Sequence, residues 1–118
     1  MDPRRRGRET EAQAWRVLEA RGMRLLARNY RTRRGEIDLV VRDGDSVVFV
    51  EVRYRGQRGY GSAVESVDRR KQARLVACAQ HYLQQHPHAA RQPCRFDVIS
   101  VNGADGTTEW IRNAFDAG

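Results

Sequence analysis

The chain is predicted to form an α/β domain, a mixed sheet flanked by helices in the order α-β-β-β-α-β with a further short strand at the end. Three observations predict it. Segments 35–43 and 46–54 are both rich in Val, Ile, Leu and Phe, and the Asp43-Gly44-Asp45 turn signal between them marks a hairpin. A segment of helical period, 64–85, separates that hairpin from the next strand-like run, 94–101, and so long a crossover makes the two flanking strands parallel with a right-handed connection. The length of 118 residues suits one domain, 1–118, with no repeat or linker to divide it.

Residues 1–8 read as a flexible basic arm carrying Arg4, Arg5, Arg6 and Arg8. A helix is expected from Thr10 to Arg21, with Glu11, Trp15 and Leu18 in helical register and Gly22 as its stop. Residues 23–30 form the first strand, 35–43 the second and 46–54 the third, and 56–61 (GQRGYG) is a loop. The long helix buries Val64, Val67, Leu75, Cys78 and Tyr82, and His86-Pro87-His88 ends it. Strand 94–101 follows, then an Asn102-Gly103 turn and a last strand over 107–111.

Alternation along the hairpin places the chemistry. Glu36, Asp38 and Val40 share one face of the second strand, with Ile37, Leu39 and Val41 on the other. In the third strand Val47, Phe49, Glu51 and Arg53 share a face, opposed to Val48, Val50 and Val52. A four-residue turn over 43–46 sets Asp38 opposite Glu51 and Glu36 opposite Arg53; a two-residue Asp43-Gly44 loop sets Asp38 diagonal to Glu51. Both registers bring the two carboxylates to one face, whereas a three-residue loop would put them on opposite faces. Facing carboxylates repel and resist desolvation, so they call for a cation. Either Mg²⁺, which takes one or two carboxylates with waters and phosphate oxygens, or an arginine such as Arg53 or Arg34 could supply it. Two further charges fall where apolar residues are expected, Glu11 on the first helix and Lys71, the only lysine, on the long helix. Each alone fits a side chain snorkelling at the core margin. Together they suggest a shared polar site.

The 22 basic residues outnumber the 15 acidic ones, a net charge of +7 that favours a polyanionic partner. A coding preference for arginine would produce the same excess. The clusters Arg31, Arg33, Arg34 and Arg53, Arg55, Arg58 flank the carboxylates, as phosphate-binding groups would. Tyr60 offers a stacking face in the loop between them and the long helix. No apolar run approaches the ~20 residues of a membrane span, the first residues lack the apolar core of a secretory signal, and two cysteines without metal-ligand spacing suit a reducing cytoplasm. His81, His86 and His88 lack partners at metal spacing, and no Ser-His-Asp arrangement is legible.

As a set, Gly7 to Glu11, Arg28-Asn29-Tyr30-Arg31, Gly35-Glu36-Ile37-Asp38-Leu39, Val48-Phe49-Val50-Glu51-Val52-Arg53, Lys71, Arg95-Phe96-Asp97-Val98 and Asn113-Ala114-Phe115 resemble the bacterial YraN family. That family is similar to the PD-(D/E)xK nuclease superfamily, with its restriction-endonuclease-like fold, and particularly to archaeal Holliday junction resolvases. The resemblance implies that Asp38 and Glu51 bind Mg²⁺ or Mn²⁺, that Glu11 completes the metal site, and that Arg53 stands where such nucleases carry a lysine. Arg53 keeps the charge but is a poor proton carrier; Lys71, reaching in from the long helix, is the expected substitute. The expected function is that of a cytoplasmic nucleic-acid-binding protein, with DNA as the expected partner and a metal-dependent endonuclease-like site acting on structured or branched DNA. A catalytically inactive DNA-binding module and a basic protein-interaction domain are the alternatives, and a homodimer is suggested by analogy with the resolvases alone.

Overall fold

A computed structural model describes residues 3–56 and 67–116. The elements run α1 (Pro3–Ala20), β1 (Arg24–Thr32), β2 (Gly35–Asp43), β3 (Ser46–Arg55), α2 (Arg69–Gln85), α3 (Pro87–Ala90), β4 (Cys94–Asn102) and β5 (Thr108–Phe115). The strands form one sheet in the order β1-β2-β3-β4-β5. All neighbours are antiparallel except β3 and β4, which pair in parallel across the helical crossover, as expected. This mixed sheet flanked by helices is of the α/β class and is consistent with a restriction-endonuclease-like fold.

Helix α1 begins at Pro3, so Arg4, Arg5, Arg6 and Arg8 belong to its first turns rather than to a flexible arm. Proline is pre-set for the first helical position, and arginine is a good helix former. The helix ends as predicted at Gly22: the Gly22 and Met23 N–H groups donate to the Glu19 and Leu18 carbonyls at 2.9 and 3.2 Å. Helix α2 is capped by Asp68, whose side chain accepts from the Lys71 N–H at 2.8 Å. The helix expected from 64 begins only at Arg69, because the extended Asp68 caps it and leaves the buried Val67 ahead of its first turn; Val64 lies outside the described residues. Pro87, expected only to end α2, also opens the short α3.

Each helix seals one face of the sheet. Ala14 and Leu18 of α1 pack with Leu39, Val41, Val48, Val50, Ile99 and Val101. Leu75, Cys78, Ala79 and Tyr82 of α2 pack with Ile37, Val40, Val47, Phe49, Phe96 and Val98. Covering both faces explains why β2 and β3 carry valines on consecutive positions. The predicted alternation holds throughout β3. In β2 it breaks: Ile37 and Val40 lie in the same cluster, with Leu39 opposite, so the strand turns over at Asp38.

The hairpin turn has positive φ only at Gly44, the pattern of a type II′ turn, and it sets Asp43 against Ser46 and Leu39 against Val50. Of the two predicted registers this is the one that brings Asp38 opposite Glu51.

Candidate active site

The β2–β3 ladder stops at Leu39–Val50 although both strands continue, β2 beside β1 as far as Gly35 and β3 beside β4 as far as Arg55. Asp38 and Glu51 are the first residues of this fork. The Val52 N–H, freed from the ladder, donates instead to Asp38 Oδ2 at 2.8 Å. A buried backbone donor must find a partner, and here the partner is the carboxylate whose strand has pulled away. Across β1, Asn29 stands beside Asp38 with φ at +49°, a left-handed conformation inside a strand. Such strain in a non-glycine residue concentrates at functional sites.

The fork gathers four carboxylates that feel one another. Burial, then the charge of Glu51, pushes the Asp38 carboxyl up to about 8, with Glu11 and Glu36 adding to the effect and the Val52 N–H opposing it. Glu51, only 4% exposed, is also raised by burial, against the pull of Lys71 and Arg53. Its Oε1 lies 3.3 Å from Lys71 Nζ and 3.6 Å from the Arg53 guanidinium. Burial raises Glu11 as well, followed by the charge of Glu36. The Asn29 amide, oriented with its nitrogen toward these carboxylates, donates to Glu36 at 2.8 Å and to Glu11 at 3.2 Å.

The structure therefore brings together Glu11, Asp38, Glu51, Arg53 and Lys71. It pairs Glu36 differently from the register argument: the Arg31 guanidinium lies 3.6 Å from Glu36, because β1 rather than β3 borders β2 beyond the fork. Arg31, Arg33 and Arg34 line a cleft of about 550 Å³ between the β1–β2 turn and α2. Arg55 pairs with Glu109 at 3.4 Å. Arg58 and Tyr60 lie outside the described residues. The features sequence reasoning missed are Asn29 and the Val52 N–H. Asn29 carries a faint signal, an asparagine in a strand, a residue type that tolerates positive φ; the Val52 N–H carries none.

Among the described residues no group of three or more His, Cys, Asp or Glu side chains could by itself hold a metal ion. The site is thus no closed cage. Its donors still fit a hard divalent ion: Mg²⁺ binds through one or two carboxylates and keeps the rest of its shell for water and phosphate oxygens. The raised Asp38 carboxyl shows that burial and the neighbouring carboxylates disfavour its charged form in this pocket.

The match of the family model for uncharacterised protein family UPF0102 over residues 10–101 spans every residue of the fork. The chain belongs to UPF0102. This is the family of the YraN resemblance. A UPF0102 protein of Pseudomonas putida (strain GB-1) is 50% identical over 117 residues, covering 97% of this chain and 95% of that protein. UPF0102 proteins of Pseudomonas savastanoi pv. phaseolicola and Pseudomonas syringae pv. tomato are each 54% identical, covering 94% of this chain and 93% and 92% of their own lengths. Among the described residues no helix is long and apolar enough to cross a membrane.

Proposed function

We propose that this UPF0102 protein is a cytoplasmic, metal-dependent nuclease that hydrolyses phosphodiesters in structured or branched DNA. The observation that carries the reading is that Asp38 and Glu51 act on each other electrostatically at the fork, with the Lys71 ammonium of α2 3.3 Å from Glu51. Asp38 and Glu51 would hold Mg²⁺ or Mn²⁺, with Glu11, steadied by Asn29, as the outer carboxylate. The ion, when bound, polarises the scissile phosphate and lowers the pKa of the attacking water.

The remaining work falls to the chain. Arg53, half-buried beside Glu51, offers a fork of donors to a phosphate oxygen but no proton. Lys71 Nζ, 3.3 Å from the same Glu51 oxygen that faces Arg53, would orient the water or protonate the departing oxygen. Arg31, Arg33 and Arg34 hold neighbouring phosphates along the cleft beside α2. Both cysteines are free, in keeping with a reducing compartment. Arg53 in place of a lysine favours the second reading, a DNA-binding module without turnover.

One experiment separates the readings. Purified protein is incubated with labelled duplex, single-stranded and four-way DNA in Mn²⁺ or EDTA, beside Asp38→Asn and Lys71→Ala. Cleavage that needs Mn²⁺ and disappears in both variants is the expected result. Tight, salt-sensitive binding without cleavage would establish the second reading, and no affinity for any substrate would overturn both.

A further inference from the structure

Outside the carboxylate site, the C-terminal end of β3 presents an aromatic surface that neither the core nor the proposed chemistry uses. Val48, Val50 and Val52 pack toward α1, and Tyr54, next on that face, emerges 42% exposed. Its ring is held from two directions. The Arg6 guanidinium of α1 lies over it, 4.7 Å from the centroid. The turn after β4 lies against its edge so closely that a Cβ at Gly103 would fall 2.0 Å from the Tyr54 hydroxyl. That turn is itself tied down, by the Gly103 N–H donating to the Arg55 carbonyl at 2.7 Å and by Gln13 of α1 donating to the Gly106 carbonyl at 2.7 Å.

Around the ring opens a cleft of about 430 Å³, whose walls include Arg6, Thr10, Gln13, Asn102 and Gly103. A smaller cavity of about 190 Å³ shares Arg6 and Tyr54 with this cleft and is also lined by Glu11 and Val52 of the carboxylate site. The two sites are therefore neighbours on one surface.

We propose that the Tyr54 ring, with Arg6 above it, is a stacking subsite for one unpaired nucleobase of the DNA strand held at the carboxylate site; the proposal rests on the nucleic-acid reading above. An exposed, immobilised phenol ring beside an arginine is the combination on which splayed bases stack, and such stacking tolerates any base. Within a duplex the bases have no free face, so the occupant is unpaired: an overhang, a flap or the end of a junction arm. The exposed Arg6 side chain swings aside to cover the base or to meet its phosphate. The Gly103 backbone keeps the ring presented, and no larger residue leaves space for it.

Binding in EDTA tests this without cleavage, comparing a labelled duplex with the same duplex carrying a single-stranded overhang. Wild type is expected to prefer the overhang. Tyr54→Ala should weaken overhang binding by about 5- to 150-fold while leaving duplex affinity unchanged, and Tyr54→Trp should restore it. Gly103→Ala, which leaves the tyrosine in place but denies its ring that position, should reproduce the loss. Should these variants fail to fold, 2-aminopurine in the overhang reports on the wild-type protein: quenching on binding is expected, and its absence overturns the subsite. Equal affinity of wild type for duplex and overhang, or an undiminished preference in Tyr54→Ala, also overturns it and leaves the nuclease reading standing. Failure of wild type to bind either DNA overturns the nucleic-acid reading itself.

Discussion

Replacing Asp38 by asparagine should make the protein more stable at neutral pH while abolishing the proposed metal binding. Asparagine keeps an oxygen to accept the Val52 N–H bond and removes the charge that the fork repels. Burial and the neighbouring carboxylates push this carboxyl from its ordinary value of 3.8 up to about 8 in the fold. Each pH unit over which it stays protonated only in the folded state costs about 1.4 kcal/mol of stability. The sign follows from the direction of the shift: this contribution is fully present below about pH 3.8 and is lost as pH rises toward about 8. From 3.8 to about pH 7 the loss amounts to at most about 4 kcal/mol. Screening by solvent and by the half-exposed Lys71 and Arg53 reduces it to roughly 2 kcal/mol. Urea unfolding in EDTA across a pH series measures the difference. Variant and wild type should coincide near pH 4 and diverge by that amount near pH 7, and on the proposed reading excess Mg²⁺ should raise the stability of wild type alone. A variant no more stable than wild type at pH 7, or a gap already full at pH 4, would refute the account of the fork as a charge-strained site.

Three other outcomes follow from named contacts. Lys71→Met removes the ammonium 3.3 Å from Glu51 and should destabilise the fold by about 1–2 kcal/mol at pH 8 but not near pH 4, where Glu51 is protonated; denaturant curves at the two pH values check it. Asp97 is fully buried and accepts from the Arg95 guanidinium, from Trp110 Nε1 at 3.0 Å and from the Asn113 N–H at 2.9 Å, so Asp97→Ala should cost about 3–5 kcal/mol by chemical denaturation and release β5 to hydrogen exchange. Arg33→Ala, at an exposed position lining the cleft, should leave stability within about 0.5 kcal/mol and, on the proposed reading, lower the salt slope of DNA binding by about one, measured by titration at several salt concentrations.

The elements differ in how legible they were. The β2–β3 hairpin was readable because its turn residues and its alternation are local properties, and both agree with the fold. The parallel β3–β4 pair followed from connection length alone. The start of α1 was misread because a run of arginines after a proline looks like a solvated arm, yet such residues extend a helix whose later turns are anchored by Ala14 and Leu18. In β2 the period-two pattern failed at Asp38, where the strand turns over and changes partner; a window of sequence shows the apolar residues but not the neighbour lost. Trp110, which no sequence pattern placed, is explained by a bond to Asp97 from the adjacent strand.

For the candidate site, the residue types and their spacing singled out Asp38, Glu51, Glu11 and Lys71 as charges on faces where apolar residues are expected and narrowed the hairpin to a few registers. Tertiary structure decided the rest. It opened the ladder at Asp38 and Glu51, handed the Val52 N–H to Asp38, set Lys71 rather than solvent against Glu51, and turned Glu36 to Arg31. The physical reason is range: periodicity acts over a few residues of one element, whereas the energy of a charge depends on whatever distant segments are folded around it.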